Sequence, residues 1–434
     1  MADKSPKTDN PLIRIWKLYN SSEFSKNVSS QILGTGIAQA LPFLATPILT
    51  RLYTESDFAA YTSFFAIATI FAVGVGGKYQ MAIVLPKTNK EAMRIFTLSL
   101  YITFAYTLLL ALVFSLFYDY VNLNIGQLIY LVPLYVLFFG IWSSLTNLSI
   151  RQKTFKVNAY AKVLQSAAYI ITAVALGFAK IALYGLVIGK ITGTFASWIY
   201  LLKKSAVKAR IVPISKLKAV ARKYIDYPKY GVAPAFLNTI SSQAMILILT
   251  RFYTTNDLGH YGLTYMVLSA PLTLIGTSFK DVFYQRIASL ISHEKYKEGL
   301  SFFKKSTWSL LAMGIPICTL LYFFGEPIFS LVFGERWSRA GVFASILALS
   351  FLMKLVVSPL SSVFNATNKL KIASVWQVSY FLTTFITLGY CAYVLKMEVR
   401  NLLVVFVVHE VIMYSLYYLL EYNMLRNFIK QSKA

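Results

Sequence analysis

Apolar residues in this chain run in blocks of about twenty, separated by short polar breaks, without the in-and-out alternation of strands. Twelve blocks are predicted as helices, near 28–49, 58–77, 94–117, 128–149, 160–179, 181–202, 231–252, 260–283, 306–324, 341–363, 372–394 and 401–421. Backbone groups in hydrocarbon must be bonded internally, so blocks of this length are read as spanning α-helices. The first and seventh are the least apolar. Their Gln31, Gln39, Asn238 and Gln243 suit helices that face other helices or water. Pro42, Pro234, Pro271, Pro316 and Pro359 lie inside blocks and are expected to allow kinks.

The polar breaks carry a second pattern. With alternate loops assigned to one side, starting from the N-terminus, that side holds 33 of the 42 Lys and Arg. The opposite loops hold Arg51, Lys180, Arg251, Arg336, Arg339, Lys396 and Arg400. A basic excess marks the cytoplasmic side, so both termini are expected there. The organisation read from this is a cytoplasmic segment 1–27, an N-lobe 28–202, a basic linker 203–230, a C-lobe 231–421 and a cytoplasmic tail 422–434. Within the linker, Leu217, Val220, Ala221, Tyr224 and Ile225 follow helical spacing opposite Lys216, Lys218, Arg222 and Lys223. This is the pattern of an amphipathic helix lying on anionic headgroups. The break at 325–340 is expected to hold a short interfacial helix, with Trp337 near the headgroups.

Composition agrees with a membrane protein. Apolar residues make up 57% and charged residues 14%, against about 25% charged in a soluble domain. A net charge of +25 would suit nucleic acid, but its confinement to alternate loops is explained by membrane orientation, and no nucleic-acid partner is expected. Cys318 and Cys391 fall in apolar blocks and are read as core packers. No Asp-x-Asp pair, His/Cys cluster or nucleophile constellation is visible, so neither enzymatic activity, a metal site nor a cofactor is expected.

Residues 48–61, ILTRLYTESDFAAY, and 248–261, ILTRFYTTNDLGHY, agree at eight of fourteen positions with an offset of 200. Each copy closes one predicted helix and opens the next. Six helices separate them, an even number, so the two halves point the same way. The expected fold is an all-α integral membrane protein of two six-helix lobes, related by a pseudo-two-fold axis along the membrane normal. Parallel repeats of this kind are a transporter architecture, with substrate held between lobes near the midplane. Arg51, Asp57, Arg251 and Asp257 then sit at the outer rim, as gate ion pairs or as caps of the helix corners.

Charges inside the predicted helices are few, and a central lysine costs about 2.5–3.5 kcal/mol on insertion scales. Lys190 stands mid-helix in GLVIGKITG. Gly185, Gly189 and Gly193 recur there at every fourth residue and permit close helix approach. It is the leading candidate to contact an anion or gate its path, against a lysine satisfied by backbone carbonyls. Lys354 is a second candidate, whose plainer reading is a snorkelling side chain. His409 and Glu410 lie in the last helix as coupling candidates, and Glu410 is the one clear intramembrane carboxylate. A buried carboxylate suits proton exchange. A structural pair between Glu410 and Lys354 or Lys190 is the alternative.

Several stretches resemble the polysaccharide (O-antigen type) flippases of the multidrug/oligosaccharidyl-lipid/polysaccharide exporter superfamily. They are GTGIAQALPFLATPILTRLYTESDF at 34–58, AIVLPKTNKEA at 82–92, RQKTFKV at 151–157, YPKYGVAPAFLNTISSQAMILILTRFY at 227–253, SAPLTLIGTSFKDVFYQRIA at 269–288, FGERWSRAG at 333–341 and VSPLSSVFNATNKLK at 357–371. One departure is Ala59, where the family often has glycine. The second copy keeps Gly259, so only a local effect is expected. The resemblance implies a twelve-helix translocase in the inner membrane of a bacterium. Its substrate would be undecaprenyl-pyrophosphate-linked oligosaccharide, carried from the cytoplasmic to the outer leaflet, and its implied partners are membrane lipids, a polysaccharide polymerase and a chain-length regulator. It also implies a cavity lined mainly by spans 1, 2, 7 and 8, where Lys78, Lys280 and Arg286 would meet the pyrophosphate. Positive-inside anchoring is their alternative. A multidrug/cation antiporter of the same superfamily would want cavity carboxylates, and this chain offers one clear acid against two lysines. A lipid II flippase commonly adds two helices, and a membrane glycosyltransferase or polymerase needs a catalytic loop; neither is found.

Overall fold

The computed structural model describes residues 23–118, 125–205 and 212–431, and each apolar block of the sequence is helical. An N-lobe comprises α1 Glu23–Leu52, α2 Glu55–Ala72, α3 Asn89–Leu116, α4 Leu131–Arg151, α5 Phe155–Phe178 and α6 Ala182–Lys204. A linker helix follows, α7 Ile214–Lys223. The C-lobe comprises α8 Asp226–Phe252, α9 Thr255–Ser292, α10 Tyr296–Phe333, α11 Ser338–Leu360, α12 Leu370–Gly389 and α13 Val399–Gln431. No strand occurs among the described residues. Among the described residues, ten spans are long and apolar enough to cross a membrane, or eleven when α2 is joined to the bent segment Val75–Ala82. The 30-residue α1, with its polar side chains, is not one of these; it brings the long helices of the two lobes to twelve among the described residues. The chain is a multi-pass α-helical membrane protein. The expectations for the segment before Glu23, for 206–211, for the last three residues and for the Gln31 side chain fall outside the described residues.

The repeat acquires its physical meaning at two corners. Thr54 caps α2: its hydroxyl accepts from the Asp57 amide at 3.3 Å, while the Thr54 amide donates to Asp57 Oδ2 at 2.8 Å. Thr254 caps α9 in the same way, accepting from the Asp257 amide at 3.2 Å and donating its hydroxyl to Asp257 Oδ2 at 2.6 Å. Such caps satisfy amides that a helix start leaves open. The Tyr53 hydroxyl donates to the Ala173 carbonyl at 2.5 Å, and the Tyr253 hydroxyl to the Met397 carbonyl at 2.7 Å. Each corner is thereby tied to its own lobe.

The lobes also meet at this corner face. The Ser63 and Thr250 hydroxyls lie 2.9 Å apart, and Trp337 Nε1 donates to the Thr50 carbonyl at 3.1 Å. A Cβ at Gly259 would overlap the Glu55 carbonyl. That steric demand keeps glycine in the second copy of the repeat. Trp337 is fully buried, edge-on to Phe58 at 4.9 Å. The expectation that it sits at the headgroups is therefore corrected: the single turn Glu335–Trp337 fills the lobe junction.

At the opposite end, the linker face, α2 breaks. Gly76, Gly77 and Lys78 all take positive φ (57°, 55° and 62°), and Val75–Ala82 leaves at 47°. Glycines adopt this conformation freely, whereas a lysine does so under strain. The break needs no proline, while Pro42, Pro234, Pro271, Pro316 and Pro359 are carried within their helices. In α7, Leu217 and Val220 are buried in a cluster with Tyr79, Ile95 and Phe96. Its apolar face rests on the N-lobe, and this replaces the expectation of a face laid on headgroups. Lys216, Lys218 and Arg222 stay exposed. Lys223 pairs with Glu91 at 2.6 Å, and that hydrogen bond holds the lysine pKa above its usual value.

Candidate functional site

Five C-lobe helices turn polar or aromatic side chains toward one chamber. On α13, Phe406, Glu410 and Tyr414 recur at four-residue spacing and so share a face. Ser350 and Lys354 do the same on α11, and Trp376 and Tyr380 on α12. From α9 come Tyr261 and Tyr265, and from α8 come Asn238 and Ser241.

At the centre, Lys354 Nζ lies 2.5 Å from Glu410 Oε2. Tyr380 donates its hydroxyl to Glu410 Oε1, and Ser350 donates to Oε2 at 3.3 Å. Glu410 is fully buried, whereas the Lys354 side chain keeps 27% exposure. The ammonium also lies 5.3 Å over the Phe406 ring and 5.9 Å over Tyr414. Burying two charges costs several kcal/mol each, and only close pairing with further hydrogen bonds offsets it. This cluster supplies both.

The chamber measures ≈ 190 Å³, below the roughly 300 Å³ of an ordinary small-molecule pocket. A groove of ≈ 320 Å³ adjoins it, sharing Lys354 and Leu272, and runs between α9 and α11 past Gly276 to Lys280. Lys354 and Lys280 thus both line the groove, which runs toward the linker face, where Thr277, Ser278 and Lys280 are exposed.

The other candidates are dispersed. Lys190 lies inside the N-lobe, 4.8 Å over the Phe65 ring and 5.6 Å over Tyr169, and forms no ion pair among the described residues. The glycine stripe beside it does bring α6 against α5: a Cβ at Gly189 would lie 2.9 Å from the Tyr169 carbonyl oxygen. Lys78 stands at the break in α2, against Gly231 of α8. Arg286 is exposed on α9, beyond the groove. His409 turns to Thr383, its Nε2 at 3.0 Å from Oγ1. Asp57 and Asp257 act as helix caps. Arg51 donates to the Pro47 and Val332 carbonyls at 2.7 and 3.3 Å. The ion pairs at this rim use Arg336 with Glu55, at 3.9 Å, and Arg339 with Asp257, at 2.5 Å. Symmetric Arg51–Asp57 and Arg251–Asp257 bridges are not among the ion pairs of the described residues.

Sequence reasoning missed Trp376, Tyr380 and Ser350, whose only signal was helical spacing shared by many core residues. It also missed Glu421, fully buried on α13 with neither oxygen hydrogen-bonded among the described residues. Glu410 is therefore not the one buried acid. Of the expected spans 1, 2, 7 and 8, α8 and α9 line this chamber and α1 and α2 do not; α11 supplies its charged lining residue, Lys354, and Glu410 of α13 lies buried behind it.

A family model described as "Polysaccharide biosynthesis protein" matches residues 48–342. The succinoglycan biosynthesis transport protein ExoT of Rhizobium meliloti (strain 1021) is 21% identical over 79% of this chain and 68% of its own length. The teichuronic acid biosynthesis protein TuaB of Bacillus subtilis (strain 168) is 21% identical over 36% of this chain, and the match spans only 32% of that relative. Among solved structures, an inward-facing multidrug resistance MATE family transporter of the MOP superfamily aligns with TM-score 0.73 at 11% identity, covering 91% of this chain and 96% of that one. The lipid II flippase MurJ in an inward closed conformation aligns with TM-score 0.73 at 13% identity, covering 92% and 88%. At these identities the structural likeness concerns the fold.

Proposed function

The chain belongs to the polysaccharide biosynthesis protein family, and from that premise we propose that it flips undecaprenyl-pyrophosphate-linked oligosaccharide across a bacterial inner membrane by alternating access. A sugar–pyrophosphate headgroup cannot cross hydrocarbon unaided, because its charges and hydroxyls would lose their hydration. The observation that carries the reading is the chamber with the groove beside it: Lys354 lines both, Lys280 lines the groove, and aromatic rings and hydroxyls line the chamber. Lysines complement pyrophosphate, rings offer faces to sugars, and the lipid tail stays in the bilayer. The basic excess on the linker side favours a cytoplasmic groove, with the packed corner face outward. A cation antiporter is less well supported, since Glu410 is already neutralised by Lys354.

Deletion tests the reading. In a strain without a redundant flippase, lipid-linked oligosaccharide is expected to accumulate on the cytoplasmic face, and normal surface polysaccharide there would refute it.

A further inference from the structure

Lys354 is the cation that both cavities share, yet its charge is already engaged. Glu410 holds it at 2.5 Å, and Tyr380 and Ser350 hold Glu410 in turn. An anion arriving through the groove must compete with that carboxylate. If it wins, Glu410 is left fully buried with its counter-ion withdrawn, a state that costs several kcal/mol while the acid stays charged. Protonation removes the cost. Every group facing the pair bears on this exchange: Tyr261 and Tyr265 on α9, Tyr380 on α12, Ser350 on α11, and His409 and Tyr414 on α13. None of them is a second carboxylate; His409 meets Thr383 through Nε2, while its Nδ1 has no hydrogen-bond partner among the described residues, and the His409→Gln variant tests its part. Among the described residues that face the pair, Glu410 is the only carboxylate placed to accept the proton.

We infer that the chamber binds an anionic headgroup together with one proton, with Glu410 acting as a built-in competitor that protonation releases from Lys354. The balance is simple: the anion takes over the Lys354 ammonium from Glu410 Oε2, and a protonated buffer molecule gives one proton to Glu410 Oε2 and leaves as its conjugate base. Linkage is reciprocal, so lower pH tightens anion binding and anion binding draws in a proton. The identity of the anion rests on the flippase reading; the exchange itself does not.

Sulfate is a suitable probe, because it does not titrate near neutral pH. Calorimetry on the purified full-length chain, in buffers of different ionisation enthalpy, counts protons taken up. Wild type is expected to take up close to one proton per sulfate, with affinity rising by up to about tenfold per pH unit lowered. Glu410→Gln is expected to bind sulfate about tenfold more tightly at pH 8, with no proton uptake, and His409→Gln to keep the uptake. Sulfate binding by wild type without proton uptake would overturn the inference even if Glu410→Gln failed to fold, and so would loss of uptake in His409→Gln. If the linkage holds but reconstituted protein carries no lipid-linked oligosaccharide, the flippase reading fails and the exchange stands.

Discussion

Each lobe sets a half-buried lysine among aromatic rings, and the two lobes treat it in opposite ways. In the N-lobe, Lys190 points at the rings of Phe65 and Tyr169, beside a stripe of glycines that locks α6 onto α5. In the C-lobe, Lys354 is held by a carboxylate and lines two neighbouring cavities. The corners, by contrast, are the same device built twice: threonine cap, aspartate, and a tyrosine tied to a carbonyl. The two corners share one scaffold, while the polar chemistry around the two lysines differs. A charge that reaches a cavity and has a partner to exchange is the one suited to a ligand.

Removing Lys354 should strike hardest. Lys354→Ala leaves Glu410 unpaired in the interior, a loss of about 3–5 kcal/mol, and export should cease. Thermal unfolding of purified protein reads the first, and surface polysaccharide the second. A loss under about 1 kcal/mol, the range of exposed pairs, would erase the contrast with Lys190. Next is Gly193→Val. Its side chain would press on the Gln165 carbonyl, and overpacking of this kind costs about 1–3 kcal/mol, so the same melting experiment should show a clear drop. Lys190→Met gives up ring contacts worth about 0.5–2 kcal/mol. Protein abundance should hold while export falls, and full export would remove Lys190 from the path.

Smaller effects test the shared scaffold. Thr54→Ala and Thr254→Ala should each cost about 1 kcal/mol, and clearly unequal values would mean the two caps do different work. Gly276→Ala, in the groove wall, places its Cβ 3.9 Å from the nearest neighbouring atom. It should stabilise α9 by about 0.5–1 kcal/mol, and destabilisation would show the groove tighter than described.

Much of the fold was legible because lipid imposes a coarse rule: about twenty apolar residues per helix. Block length located every span, and eight identities located the corners. What the pattern could not give was contact. Trp337 reads as an interfacial aromatic, yet it fills the lobe junction. Leu217 and Val220 read as a lipid-facing stripe, yet they dock on Tyr79 and Phe96. An apolar face looks alike whether lipid or protein covers it. The site was half legible for the same reason. A lysine or glutamate inside a span stands out by its cost, so Lys354 and Glu410 were visible, but pairing depends on how α11 and α13 are packed, and spacing along one helix does not reveal it.

Headgroup transfer between leaflets tests the central claim most directly. Purified protein in liposomes carrying undecaprenyl-pyrophosphate-linked oligosaccharide, with sugar exposure followed by an added impermeant lectin, should make headgroups reach the far leaflet, and Lys354→Ala should block this. Transfer no faster than in protein-free liposomes, with folded wild-type protein present, would contradict the account.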